Sequence, residues 1–303
     1  MKVFVTGATG FIGGSVAAAL VGEGHDVSGL TRWDVGAASL AAHMISPVSG
    51  TLDDLDVLTR AAHAADAVIH CADSDHAASA RALVDALAGT GKRLLHTSGS
   101  SIVGTQAMGH LLEPIYDENT AFTPSPGRAA RAALTEEIRS AHKHGVHTCV
   151  IAPSLIYGQG RIDRRESMQI PWLLRTARRH GVARHLGPGQ NRWSNVHIDD
   201  LVDLYLRALA HAPEGAFYWA ENGENAMAEL CASINRMMQI DGPTQAMTPE
   251  EAAVEWGEGP AINTMGSNSR VRAVRARQEL GWAPSGPSAI EEIETGHYAR
   301  TQA

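Results

Sequence analysis

The chain opens MKVFVTGATGFIGG, and the stretch Thr6–Gly13 (TGATGFIG) limits what it can fold into. The β-favouring run Lys2–Thr6 (KVFVT) leads directly into Gly7, Gly10 and Gly13. Apolar Ile12, Val16, Ala19 and Leu20 then recur on one face of a helix expected over Phe11–Glu23. A three-glycine turn between a strand and a helix is the signature of a dinucleotide-binding βαβ unit. Gly7 permits the tight turn, Gly10 lets backbone approach a pyrophosphate, and Gly13 allows close helix–strand packing. Unpaired amides at the helix start, aided by the helix dipole, hold the phosphate charge. Thr9 belongs to the same loop.

The alternation continues for about 150 residues. Strands are expected at Asp26–Thr31, Ile45–Val48, Asp66–Cys71, Arg93–Ser98 and His147–Ala152. Helices are expected at Val35–His43, Leu52–Ala64, His76–Leu87 and Arg128–Lys143. This order predicts an α/β fold, a Rossmann doubly wound parallel sheet covered on both faces. After Pro153 the rhythm breaks. A polar loop, Gly158–Arg165, precedes a helix at Met168–His180, a strand around Arg192–Val196 and a helix at Asp199–Ala210. The expected division is a Rossmann domain of 1–158 plus about 195–221, and a smaller C-terminal substrate-binding cap of about 159–194 plus 222–303.

Charge and composition exclude some functions. The formal net charge is −8, with 33 acidic and 25 basic residues, which argues against nucleic acid as a partner. No apolar run reaches the roughly 18 residues of a membrane span. The N-terminus shows no signal-peptide plan, so a cytoplasmic protein is expected. Cys71, Cys149 and Cys231 are far apart, giving no disulfide framework and no metal spacing; buried free thiols are expected.

The end of the second strand bears on cofactor choice. NAD preference places Asp or Glu there to accept hydrogen bonds from ribose hydroxyls. Here Thr31-Arg32-Trp33 lacks that carboxylate and offers a guanidinium to a 2′-phosphate, so NADP(H) is expected.

TGATGFIG, VIHCAD at 68–73, TSGSSIVG at 97–104, PSLIYG at 153–158, VHIDD at 196–200 and ELGWAP at 279–284 together resemble the extended short-chain dehydrogenases/reductases. The resemblance spans nearly the whole chain. It implies cofactor contacts at Gly7, Gly10, Phe11, Ile12 and Gly13, with Thr31 and Arg32 at the 2′-phosphate. It places Thr51 and Leu52 near adenine, although the family often has Asp at the first of these. It adds Cys71 and Ala72 at the fourth strand, and Ser98, Pro153 and Ile156 near the nicotinamide. Monomers or homodimers are expected.

That family's catalytic signature is Tyr-x-x-x-Lys with a Ser on the fifth strand, and it is missing here. Four residues beyond Tyr116, Tyr157, Tyr205, Tyr218 and Tyr298 stand Thr120, Arg161, Leu209, Asn222 and Gln302. Alignment on the neighbouring motifs puts Gly99 in the Ser slot, Gly127 in the Tyr slot and Arg131 in the Lys slot. The pattern resembles the atypical short-chain reductases, which keep the fold without the triad.

Arg131 cannot usefully give up a proton, because its pKa lies above about 12. It can stabilise an oxyanion, or it can form a surface ion pair with Glu136 or Asp117. Ser98, Ser100 and Ser101 can hold a carbonyl, or they can bond at the strand end. His96 and His197 read more readily as structural histidines. One solution needs no protein acid: a phenol beside the carbonyl has a pKa near 10 and acts intramolecularly.

The expected pocket rim (Met108, Met168, Ile170, Pro171, Trp172, Trp193) suits a flat polycycle, or alternatively forms cap core. Together these features resemble tailoring ketoreductases of angucyclinone antibiotic pathways in actinomycetes, taking a small-molecule ketone. Two other functions fit the fold: a non-enzymatic NADP(H) sensor and, least well, a sugar-nucleotide epimerase or dehydratase.

Overall fold

The structure is a computed structural model and describes residues 1–300. Residues 301–303, the end of the expected cap and including Gln302, lie outside the described residues. Five strands and their crossovers form first: β1 (Lys2–Thr6), α1 (Phe11–Gly22), β2 (Asp26–Thr31), α2 (Asp34–Ala42), β3 (Ser46–Ser49), α3 (Leu55–Ala64), β4 (Ala67–His70), α4 (Ala77–Leu87) and β5 (Arg93–Thr97). After a short strand β6 (Thr105–Gln106) come α5 (Ala129–Ser140) and β7 (His147–Pro153). The chain continues through β8 (Leu155–Tyr157), α6 (Gln169–His180), β9 (Arg184–Leu186), β10 (Arg192–His197), α7 (Ile198–His211) and β11 (Ala216–Ala220).

Seven parallel strands form the main sheet in the order β11-β7-β5-β4-β1-β2-β3. This is the expected Rossmann arrangement, with one strand more than the sequence pattern showed. The missed strand, β11, is buried at all five residues and so carries no in–out alternation. Two helix layers cover the sheet: α1 lies beside α7, while α3, α4 and α5 follow one another.

The apolar residues fall into two clusters. The first fills the sheet and its helices. The second gathers Leu155, Tyr157, α6, Leu186, Trp193 and the helices α8 (Met227–Met237) and α9 (Pro249–Trp256). The division is not quite that expected from sequence. Val271, Ala273, Ala276, Leu280 and Trp282 pack into the first cluster, because helix Val274–Leu280 covers β11. Ile162, from the polar loop, joins the first cluster as well.

That loop leans on the glycine-rich turn. The Arg161 amide donates to Ser15 Oγ at 3.1 Å, and Ser15 Oγ donates to the Phe11 carbonyl at 2.6 Å. Gly160 is so close to the Phe11 ring that a Cβ there would lie 3.1 Å from it.

Candidate active site

The ends of β1, β4, β5 and β7 open into one cleft of about 460 Å³. It lies where strand order reverses between β1 and β4, the place where open α/β sheets bind ligands. Backbone geometry explains the glycines. Gly7 has φ +69°, and a Cβ there would sit 2.8 Å from Ala72 Cα. A Cβ at Gly13 would sit 2.4 Å from the Gly7 carbonyl oxygen. The Gly14 amide reaches the Gly10 carbonyl at 3.0 Å, so the amides of residues 11–13 stand ahead of that first helical bond. This backbone cradle fits a pyrophosphate.

Ten of the expected cofactor residues line the cleft: Gly7, Gly10, Phe11, Ile12, Gly13, Cys71, Ala72, Ser98, Pro153 and Ile156. Cys71 is therefore only half-buried, unlike Cys149 and Cys231. Burial pushes its thiol up to about 11, against the opposing hydrogen bond from Thr97. Thr9, Thr31, Arg32, Thr51 and Leu52 do not line the cleft. Thr31 is buried, and its hydroxyl donates to the Trp33 carbonyl at 3.3 Å. Arg32 is exposed, its guanidinium 5.8 Å from the Trp33 ring centre. Thr51 turns its amide and hydroxyl to Asp54 Oδ2, at 2.7 and 2.9 Å.

The three serines after β5 diverge. Ser98 Oγ is held by Thr135 Oγ1 of α5 at 2.8 Å, and Ser100 Oγ by Ser269 Oγ at 2.7 Å. Ser101 Oγ accepts from Arg131 Nη1 at 2.9 Å inside the cleft. Arg131 does not pair with Glu136 or Asp117. Its Nε donates to Asp75 Oδ1 at 2.7 Å, and its Nη2 to Asp75 Oδ2. Asp75 lies two residues before α4, and the fold brings it to Arg131, 56 residues further along the chain. The Arg131 hydrogen bonds, outweighing burial, hold the Asp75 carboxyl below its usual range.

The two glycine slots differ in their surroundings. A Cβ at Gly99 would touch Arg131 Nη1 at 3.6 Å, whereas one at Gly127 would meet nothing within 4 Å. Among the described residues no tyrosine lines the cleft. Tyr157 donates to the Pro287 carbonyl, Tyr218 to Glu279, and Tyr205 shares a hydrogen bond with Thr97. His96 is buried against His70, and burial lowers it to about 4. His197 caps α7 by accepting from the Asp199 amide. Neither histidine lines the cleft.

Of the expected substrate rim, Met168 and Trp193 line the cleft, while Met108, Ile170, Pro171 and Trp172 do not. Ile170 and Trp172 pack with the second apolar cluster, and Pro171 is buried on the same helix. Met108 sits in a tight loop whose carbonyl lies against Gly187. Sequence reasoning missed Arg128, Glu166, Ser167, Gln169 and Thr264, all of which line the cleft. Arg128 adjoins the Tyr slot, which was the available signal.

Residues 3–218 match the NAD dependent epimerase/dehydratase family, and the chain belongs to it. It is 32% identical to oxidase ucsJ of Acremonium sp., covering 97% of this chain and 95% of that protein. It is 26% identical to the 4-hydroxy-2-methyl-3-oxo-4-farnesyl-3,4-dihydroquinoline-1-oxide ketoreductase of Stigmatella aurantiaca, covering 93% and 92%. The fold also matches a UDP-glucose 4-epimerase of Thermotoga maritima, with a TM-score of 0.78 and 17% identity over 100% and 99% of the two chains. No helix among the described residues is long and apolar enough to cross a membrane.

Proposed function

We propose that this protein is an NADP(H)-dependent ketoreductase of the atypical, triad-lacking kind, acting on a hydroxylated polycyclic ketone such as an aromatic polyketide. The observation that carries this reading is the Asp75–Arg131–Ser101 chain in a cleft that no tyrosine among the described residues lines. Two features support the cofactor. The backbone cradle at Gly7–Gly13 suits the pyrophosphate. Arg32, exposed and without a carboxylate partner among the described residues, suits a 2′-phosphate. When bound, the dinucleotide supplies the hydride.

The chain's own residues manage charge on the substrate oxygen. Arg131 donates into Ser101 Oγ, which leaves the Ser101 O–H free to donate to a carbonyl in the cleft. As the carbonyl becomes an alkoxide, that hydrogen bond and the Arg131 charge stabilise it, and Asp75 keeps the guanidinium in place. Neither group is a useful acid. The proton comes from a hydroxyl on the substrate beside the reacting carbonyl, at an effective molarity no solvent acid matches. Met168 and Trp193 offer the ring system an apolar wall. The Stigmatella relative, named as the ketoreductase of a bicyclic ring ketone, supports reduction of a cyclic ketone; the hydroxyl in that name is an alcohol on the farnesyl-bearing carbon and does not bear on the proton source.

NADPH consumption should be measured with a hydroxylated tetralone, its O-methyl ether and its deoxy analogue; UDP-glucose should be incubated separately with the protein and the dinucleotide and its products resolved by chromatography, because epimerisation consumes no NADPH. Turnover should be fast only with the free hydroxyl. Rapid reduction of the deoxy ketone would defeat substrate-assisted protonation. Turnover of UDP-glucose alone would defeat the ketoreductase reading.

A further inference from the structure

Among the described residues three charged side chains line the cleft: Arg128, Arg131 and Glu166. Two of them are answered within the fold. Arg131 has Asp75, and Glu166 faces His297 Nε2 at 3.6 Å. Arg128 has no hydrogen-bond or ion-pair partner for its side chain among the described residues. It is half-buried, one residue beyond the empty Gly127 position and three before Arg131. Burial, and then the Arg131 charge, push Arg128 below the usual guanidinium range; only Asp75, already committed to Arg131, opposes them.

A half-buried cation set beside a like charge is unfavourable unless something negative joins it. The proposed cofactor's pyrophosphate has its own cradle at Gly7–Gly13 and its 2′-phosphate has Arg32, so the anion that answers Arg128 is a different one. We infer that Arg128 is an anion-binding subsite, and that the natural ketone carries a carboxylate which pairs with it. A guanidinium grips a carboxylate through two parallel N–H bonds, which would fix the ring system's orientation before reduction. This inference rests on the ketoreductase reading and narrows its substrate class.

The test compares a hydroxytetralone carrying a carboxylate with its methyl ester, in the unaltered protein and in Arg128→Ala and Arg128→Lys. The acid should have a KM about 10–100-fold below that of the ester, the scale of one charge-assisted contact. Arg128→Ala should erase the difference, and Arg128→Lys should restore part of it. NADPH affinity should stay constant throughout. Equal KM values, or a preference that survives Arg128→Ala, would overturn the subsite and leave the ketoreductase reading intact. Loss of NADPH affinity in Arg128→Ala would overturn it by assigning Arg128 to the cofactor. If neither ketone is reduced, the ketoreductase reading fails. The subsite is then decided by calorimetric titration of the NADP⁺-loaded protein with the acid. Binding that Arg128→Ala weakens supports it, and binding that is equal in both proteins, or missing from the unaltered one, overturns it.

Discussion

Arg131 Nη1 lies 2.9 Å from Ser101 Oγ and 3.6 Å from where a Cβ on Gly99 would be. The guanidinium lies beside Gly99, which the resemblance to short-chain reductases puts in the serine slot, and the serine two residues later receives its hydrogen bond. In the proposed mechanism these two neighbouring residues stabilise the substrate oxygen. Its components can be separated by mutation.

Ser101→Ala should lower kcat about 10²–10³-fold, the usual loss for one oxyanion donor, with NADPH affinity unchanged. Arg131→Ala should fall in the same range. Arg131→Lys should be intermediate, because one ammonium cannot serve Asp75 and Ser101 with the same fork geometry. Single-turnover rates would check this, and unchanged kcat in both alanine variants would remove the pair from the reaction.

Gly127 offers open space in the slot where a catalytic tyrosine is expected. Gly127→Tyr should therefore fold, and should speed reduction of the deoxy ketone by up to about 10²-fold, the lower end of what a positioned acid provides. The hydroxylated ketone, which brings its own proton, should gain little. A larger gain on the hydroxylated ketone would contradict substrate-assisted protonation.

The proposed cofactor recognition divides between two residues. Gly10→Val should leave the fold but abolish dinucleotide binding, since the side chain fills the space of backbone approach. Arg32→Ala should reduce the preference for NADPH over NADH by about 10–100-fold. Fluorescence titration reads both, and an unaltered protein that binds the two cofactors equally well would refute the role of Arg32.

Acid stability should carry the mark of Asp75. Its carboxyl is depressed in the folded state by Arg131. The ion pair's contribution is therefore full above the unfolded pKa of about 3.9 and is lost as pH falls through the lower folded value. Because Asp75 is 55% exposed, the contribution should stay below about 1 kcal/mol. Urea unfolding of the unaltered protein and Asp75→Asn should give a small gap at neutral pH that closes only in strong acid. A gap that widens with acidification would show the opposite linkage.

Much of this was legible in the sequence, for physical reasons. The bounds of β1 and β2 follow from β-favouring runs ended by glycine and polar residues, and the first loop's glycines announce their own geometry. β8 and β9 are three residues long, too short to show a period. Trp172 sits in a helix whose buried face gave no sign of whether it met ligand or core. The pairing of Asp75 with Arg131 is set by where α4 and α5 fall across the sheet, which local pattern does not encode. Arg128 looks in sequence like any solvated charge at a helix start, and only the cleft wall distinguishes it.

The loop that rests Gly160 on Phe11 and the Arg161 amide on Ser15 has a kinetic meaning. It runs on into Glu166–Gln169, which wall the cleft, so one side of the proposed ketone site stands on α1, where the pyrophosphate is proposed to dock. On the proposed cofactor binding, any shift of that helix as the dinucleotide docks would be passed to the wall through these contacts. Nucleotide should therefore enter first and leave last, with the ketone admitted only in between. Product inhibition should show this as competition between NADP⁺ and NADPH alone, and random addition of the two substrates would mean that the wall is already set before the nucleotide arrives.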